Sequence, residues 1–358
     1  MELKLINLEP RLYRSWDKFC EESDDAWFWH TSDWLEYNLN YQPKMRPEVK
    51  SFLVVDNKRV VAVCPLILVE IDGVKEFSLS GVHGPMPAFS NDLPKKAKNK
   101  IMKLIFSQID NLAGQSGVKR VKFNFSVLSK SFIETAELKF NFSEKFGYLN
   151  NNLNALVIDL KRPLDQLWKE VSHGHQADIS RSAKILKANI FNRDNINDEI
   201  FNEYVKLHQK AAGRQTRPLA TFDMMKKWIG QDKAFLVGAK KNNKFIGFSY
   251  FFLYKNNVFY GSSCNDPEFQ QLPISHFIQW SAIKLMNEKK YKFYEIGWQI
   301  YNEGMSDYSS KKRINISKFE KGLGGEVKPL FMSEKYYDKS FFLKVYNSRI
   351  NQFAQTIK

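Results

Sequence analysis

The densest cluster of reactive side chains is HQKAAGRQTRP, from His208 to Pro218. It follows a helical pattern that Gly213 is expected to end, because glycine enters the left-handed conformation at little steric cost. Arg214 and Arg217 then stand three residues apart around a turn. Two guanidinium forks so placed can hold one phosphate or carboxylate. The same charges could instead offset the helix dipole or pair with surface acids. A second cluster is FYGSSCNDPEFQQLPISHFIQW. A strand carrying Tyr260 runs into a loop with Ser262, Ser263, Asn265 and Asp266, and a helix begins near Ser275. The free N–H groups of that helix can hold an anion. His276 lies in its first turn, where an imidazole either acts as a base or is simply packed. A third cluster, KFEKGLGGE, sets Lys318 and Lys321 beside three glycines. It reads as a phosphate-binding loop or as a hairpin turn with solvated lysines. In the first half, the loop GVHGPMPAF could place His83 in the wall of a cleft. SHGHQADISRSAK puts His175, Asp178 and Arg181 on successive helical turns, which reads as a polar face. Trp29, His30 and Trp34 read as core.

The absent motifs narrow the chemistry. The chain contains no Gly-x-Ser-x-Gly elbow and no cysteine beside a histidine. It has neither a Walker loop nor a dinucleotide fingerprint. What is left favours direct transfer between two bound substrates, in which positioning and electrostatics supply most of the catalysis.

Two near-copies of one unit must hold these residues. SFLVVDNKRVVAVCPLILVE begins at Ser51 and AFLVGAKKNNKFIGFSYFFLYK at Ala234. Each reads as a strand, a polar turn and a longer apolar strand. Each is followed by a helix and a further strand, IMKLIFSQIDNLAGQSG and VKRVKFNF in the first, HFIQWSAIKLMNEKK and YKFYEIGW in the second. A repeat of this period is a duplicated domain rather than a solenoid. The expected fold class is α/β (α+β), with lobes at 1–160 and 161–335 and a C-terminal helix at 336–358. A cleft between such halves is the natural place for a site. The stretch KKRINISKFEKGLGGEVKPLF is expected to be a loop with a final hairpin. The closing helix suits packing or oligomer contact better than a membrane.

Composition sets further bounds. The 358 residues include 54 Lys and Arg against 39 Asp and Glu, a formal charge of +15. That excess favours polyanionic partners such as phosphorylated substrates, tRNA or an acidic membrane face, although abundant Lys could also be general bias. DNA is not expected. Cys20, Cys64 and Cys264 are too dispersed for a disulfide framework or a metal cluster, and the histidines offer no spaced ligand pair, so no metal is expected. There is no run long enough to span a bilayer, and MELKLINLEP does not read as a signal peptide, so a cytoplasmic location is expected.

The segments LHQKAAGRQTRP, PISHFIQWSAI, YEIGW and ISKFEKGLGGE, in this order, resemble the FemAB superfamily of tandem GNAT-like transferases. The resemblance implies two tandem GNAT-like lobes with a cleft between them. It also implies a transferase that joins an acyl or aminoacyl group to an amine of a cell-envelope glycan or peptidoglycan-type precursor. The donor would be aminoacyl-tRNA or acyl-CoA, with no permanently bound cofactor. Arg214, Arg217, Lys318 and Lys321 would bind phosphate or carboxylate on an anionic or lipid-linked acceptor. Tyr260, Asn265 and His83 would complete the substrate walls. His276, or alternatively His208, would move the proton of the attacking amine. The chain departs from the family pattern where Phe319 is followed by Glu320 rather than lysine. The stretch PEFQQLPISH lacks the glycines that usually cradle CoA pyrophosphate. An acyl-CoA-dependent N-acetyltransferase of a nucleotide-linked amino sugar is the alternative within this chemistry. A non-catalytic tRNA- or glycan-binding module is the alternative outside it.

Overall fold

The two copies fold through the same turn. In the computed structural model, which describes residues 2–136, 138–302 and 304–357, Asn57 and Lys58 have φ of 46° and 73°. Asn242 and Asn243 have φ of 48° and 63°. Two consecutive left-handed residues make the tight turn whose twist matches that of paired strands. The first joins Phe52–Asp56 to Arg59–Cys64, and the second joins Ala234–Lys241 to Lys244–Tyr254.

Beyond the turn the copies diverge, and one proline accounts for it. Lys244–Tyr254 continues unbroken in a seven-stranded sheet. The corresponding strand of the first copy stops at Cys64, because Pro65 has no N–H for the ladder. Ser51 bridges the break: its Oγ accepts from the Leu66 N–H at 2.8 Å. The chain resumes as Ile67–Ile71 in a different sheet. The first copy therefore has a four-stranded sheet and a separate seven-stranded one.

Each copy then adds a helix and a parallel strand. Helix Lys95–Ser116 buries Ile101, Ile105, Ile109 and Ala113 along one face and ends at Gly117, φ 68°. Strand Arg120–Asn124 follows, parallel to Val74–Phe77. Helix Ile274–Glu288 buries Phe277, Ile278 and Trp280, and strand Phe293–Gln299 runs parallel to Asn257–Asn265. The mixed α/β architecture expected from sequence is what the structure has.

The compact units are not contiguous in sequence, unlike the boundaries at 160 and 335 expected above. The first comprises the chain to Asn154 together with Asn302–Ser310 and everything from Pro329 onward. The second comprises Ala155–Tyr301 and Lys311–Lys328. The expected loop and hairpin are also corrected. Lys311–Lys321 is a helix, whose Ser317 Oγ donates to the Trp298 carbonyl at 3.0 Å. Glu326–Leu330 joins the sheet of the second unit beside Leu153–Asp159. Met332–Tyr336 instead pairs with Arg120–Asn124 in the first. Gly325 (φ 94°) makes the turn possible, since a Cβ there would lie 2.8 Å from the Val157 carbonyl oxygen. In the first unit the closing helix Lys339–Ala354 is anchored by Arg349, whose guanidinium holds Glu334 with both Nη groups at 2.8 and 2.9 Å. Among the described residues no helix is long and apolar enough to cross a membrane.

Candidate functional site in the second unit

A pocket of about 760 Å³ opens where the strands of the second unit end. The strand Asn257–Asn265 supplies Tyr260, Ser263 and Asn265, and the first turn of helix Ile274–Glu288 supplies His276. Helix His173–Ala183 adds Asp178 and Arg181. Strand Phe293–Gln299 brings Gly297, and helix Lys311–Lys321 brings Arg313, Phe319 and Glu320.

Glu320 is the most perturbed group in the lining. It is 4% exposed, and its Oε2 accepts from Gln299 Nε2 at 3.1 Å. Burial, partly opposed by the charge of Arg313 and aided by Glu295, pushes its carboxyl up to about 8. Glu295, on the adjoining strand, is buried too, and desolvation raises it to about 8. Gly297 makes room for this carboxyl: a Cβ there would lie 2.6 Å from Glu320 Oε1. A glycine inside a strand often marks such a close approach.

His276 faces the same space. Its Nε2 lies 3.7 Å from Asp178 Oδ2, and its ring packs edge-on against His175 and Phe319 at 4.3 and 4.8 Å. Burial, with the neighbouring His175, lowers its pKa to about 4, so the imidazole is neutral at neutral pH. Its buried Nδ1 has no hydrogen-bond partner. Asn265 Nδ2 donates to Ser275 Oγ at 2.8 Å, which leaves its buried Oδ1 without a partner. An orphaned donor or acceptor in a pocket wall is where a ligand's polar group would be received.

Of the residues expected to act, the structure brings together Tyr260, Asn265 and His276, beside Ser262, Ser263, Asp178 and Arg181. The other expected catalytic and substrate-binding residues lie elsewhere. Arg214 is exposed and does not line the pocket. Arg217 lies over the ring of Phe222, 5.3 Å from its centroid, and does not line it either. His208 is packed edge-on against Tyr204 and Phe222, hydrogen-bonded to Thr216, and lowered to about 4, chiefly by burial. Lys318 and Lys321 point to solvent from the helix, while Phe319 and Glu320 between them face the pocket. His83 belongs to the first unit, buried, with Nδ1 2.7 Å from the Tyr308 hydroxyl. Sequence reasoning did not single out Glu320 or Glu295 as site residues, and it read Asp178 and Arg181, whose Oδ1 and Nη2 are 2.8 Å apart, only as a polar helix face. A signal for the glutamates existed: YEIGW sets an acid and a glycine on one face of an otherwise apolar strand.

No protein-family model matches the chain, and no curated protein sequence does. Solved structures do. FemX superposes over 96% of this chain and 100% of its own, with a TM-score of 0.64 at 10% identity. The chain has the fold of FemX. L-PGS from Bacillus licheniformis follows the FemX-like fold over 96% of this chain and 98% of its own, with a TM-score of 0.60 at 12% identity. The C-terminal domain of an Agrobacterium fabrum chain named as a lysylphosphatidylglycerol synthetase covers 80% and 85%, with a TM-score of 0.52 at 11% identity. These likenesses are of fold, and they agree with the α/β class expected from the sequence.

Proposed function

We propose that the protein is an N-acyltransferase that moves an acyl or aminoacyl group onto an amine of a cell-envelope molecule, a glycan or peptidoglycan-type precursor. The reaction is placed in the pocket of the second unit. The observation that carries the reading is the buried Glu320 carboxyl, pushed up to about 8 in the lining of that pocket. An attacking amine must lose a proton, and a base is most effective when its pKa lies near the working pH. In this reading the amine nitrogen bonds to the donor's carbonyl carbon, and the bond from that carbon to the ribose oxygen of aminoacyl-tRNA breaks. Ionised Glu320 takes the ammonium proton and returns it to the departing ribose oxygen, which leaves as a hydroxyl. His276 is too weak a base for that task at about 4 and serves as a neutral wall. The orphaned Asn265 Oδ1 is an acceptor for a donor or acceptor N–H. The FemX-like and L-PGS-like fold supports an aminoacyl donor, and the +15 charge suits tRNA.

The test is a transfer assay with charged tRNA, or with acyl-CoA, and an amine-bearing envelope precursor, read by mass spectrometry. The expected result is a new amide whose formation RNase abolishes. CoA-dependent, RNase-insensitive product would change the donor to acyl-CoA. No amide from either donor would overturn the reading.

A further inference from the structure

The first unit holds a pocket of its own, about 560 Å³, which the transfer chemistry does not require. Its wall is apolar and largely aromatic, including Phe89, Met102, Phe125, Leu138, Phe142 and Phe146. These rings are fixed by one another: Phe142 meets Phe125 edge-on at 5.1 Å, and Phe146 stacks on Phe106 at 4.1 Å. Lysines surround this wall. Lys95 and Lys103 lie eight residues apart on helix Lys95–Ser116, and Lys139 and Lys145 come from the short helical turn Phe142–Phe146 and the residues before it.

Charge in this pocket is unbalanced. Five lysines line it against one carboxylate, Asp25, and Asp25 is already held by Lys98 at 3.3 Å. Lys95, Lys103, Lys139 and Lys145 form no ion pair among the described residues. A second observation points to a ligand independently of the lysines. Ser126, 6% exposed and part of the lining, has a buried Oγ with no hydrogen-bond partner. Leaving such a hydroxyl unsatisfied is unfavourable, and a ligand's polar group would relieve it. The volume lies within the range of small-molecule sites, and apolar walls with a few placed polar groups are their usual composition.

We infer that this pocket binds an anionic amphiphile, with a phosphate-type head at Lys95, Lys103, Lys139 and Lys145 and a hydrocarbon chain against the phenylalanine wall. Lysine meets phosphate as a point charge, without the fixed geometry arginine demands. A simple anion would leave the wall uncovered, and a neutral lipid would leave the lysines facing one another. The site is independent of the transfer reaction and can stand or fall without it.

The test is calorimetric titration with octyl phosphate below its micelle concentration, compared with inorganic phosphate and octyl glucoside. Saturable binding at least tenfold tighter than either comparison is expected. The double variant Lys139→Glu, Lys145→Glu should weaken it at least tenfold. Both lysines are exposed, so the fold should survive, as a thermal melt will show. Lys100→Glu, an exposed change on the same helix outside the lining, should leave binding intact. Equal affinity for inorganic phosphate, no binding of octyl phosphate, or binding indifferent to the double variant would each overturn the inference. Displacement of octyl phosphate by phosphatidylglycerol vesicles would place the amphiphile in a membrane. Failure to displace it would place it in solution, and either result leaves the site standing.

Discussion

Strands Arg120–Asn124 and Phe293–Gln299 occupy the same step of the two units, each following a long helix and running parallel to a neighbour. Laid side by side from VKR and YKF, Lys122 falls opposite Glu295. Both side chains are buried, but their surroundings differ. Lys122 Nζ is 3.1 Å from Glu76 Oε2, and Glu76 also meets Arg120 Nη2 at 2.7 Å. Arg120 continues to Asp307 at 3.0 Å, and Arg349 closes the network on Glu334 and Asp307. Glu295 has no ion pair among the described residues and is raised by burial alone, while its charge adds to the burial that raises Glu320. Buried charge in the first unit is matched with opposite charge, whereas in the second burial raises two carboxyls to about 8, so that each is mostly protonated yet ionises near neutrality. The first arrangement pairs its buried charges, and the second leaves carboxyls raised by burial, of which Glu320 lines the pocket. Under the proposed function, one strand then serves structure and the other stands beside the chemistry.

The sharpest way to break that assignment is Glu320→Gln. If Glu320 takes the amine proton, transfer should fall about 10²–10⁴-fold, the usual contribution of a general base. The thermal midpoint should not fall, because glutamine matches the neutral acid in shape. A variant with unchanged transfer would remove the chemical half of the comparison.

Next in size is the structural half. Arg349→Met removes the cation from a Glu334 that is fully buried. Breaking a buried pair in this way costs about 3–5 kcal/mol, because the remaining charge has no partner. Denaturant unfolding should show that loss. A loss below about 1 kcal/mol would mean that water or Arg120 already satisfies Glu334, and that the network is not what anchors the closing helix.

Gly297→Ala tests how tightly the pocket is built around its acid. The added methyl would lie 2.6 Å from Glu320 Oε1, so either the carboxyl or the strand must move. About 1–3 kcal/mol of stability should be lost, as in other overpacked sites. Transfer should fall with it, by more than the lost folded fraction explains. Loss of stability with unchanged transfer would show that the position of Glu320 does not matter to the chemistry.

What the sequence revealed and what it concealed follow from the same physics. The two-residue turns VDNKRV and KKNNKF were legible, because polar residues between apolar runs leave few backbone solutions. Gly213 and the helix of Ile274–Glu288 were legible for similar local reasons. Tyr260, Asn265 and His276 fall in one pocket because one strand–loop–helix passage carries all three. Glu320 was hidden because helix Lys311–Lys321 buries Ser317 and Glu320, so its inward face is polar and hydrophobic periodicity fails to announce it. The split of the first sheet turned on Pro65, whose effect was not read from an otherwise matching repeat. Arg217 looked like an anion fork, but Phe222 lies only five residues on, and packing on that ring was the nearer solution.

The smallest expected effect is also the most discriminating, because its sign is opposite in the two units. Glu295 has a folded value of about 8, above its ordinary 4.5. The folded state therefore holds a proton that the unfolded chain releases between those values. Its contribution to stability is complete below about pH 4.5 and lost as pH rises toward 8. Glu295→Gln should be nearly neutral at pH 5 and should stabilise the protein by about 1–2 kcal/mol at pH 8, a fraction of the full shift once relaxation is allowed. For Glu334, burial alone would raise the carboxyl, but Arg349 and Arg120 more than offset it and hold it below its usual value. Its contribution is present above about pH 4.5 and lost as pH falls. Glu334→Gln should thus cost most near neutrality and progressively less in acid. Thermal midpoints of both variants against pH, referenced to wild type, should diverge in opposite directions. Parallel curves would mean that the two buried carboxyls sit in equivalent environments, and the contrast between a matched and an unmatched strand would fail.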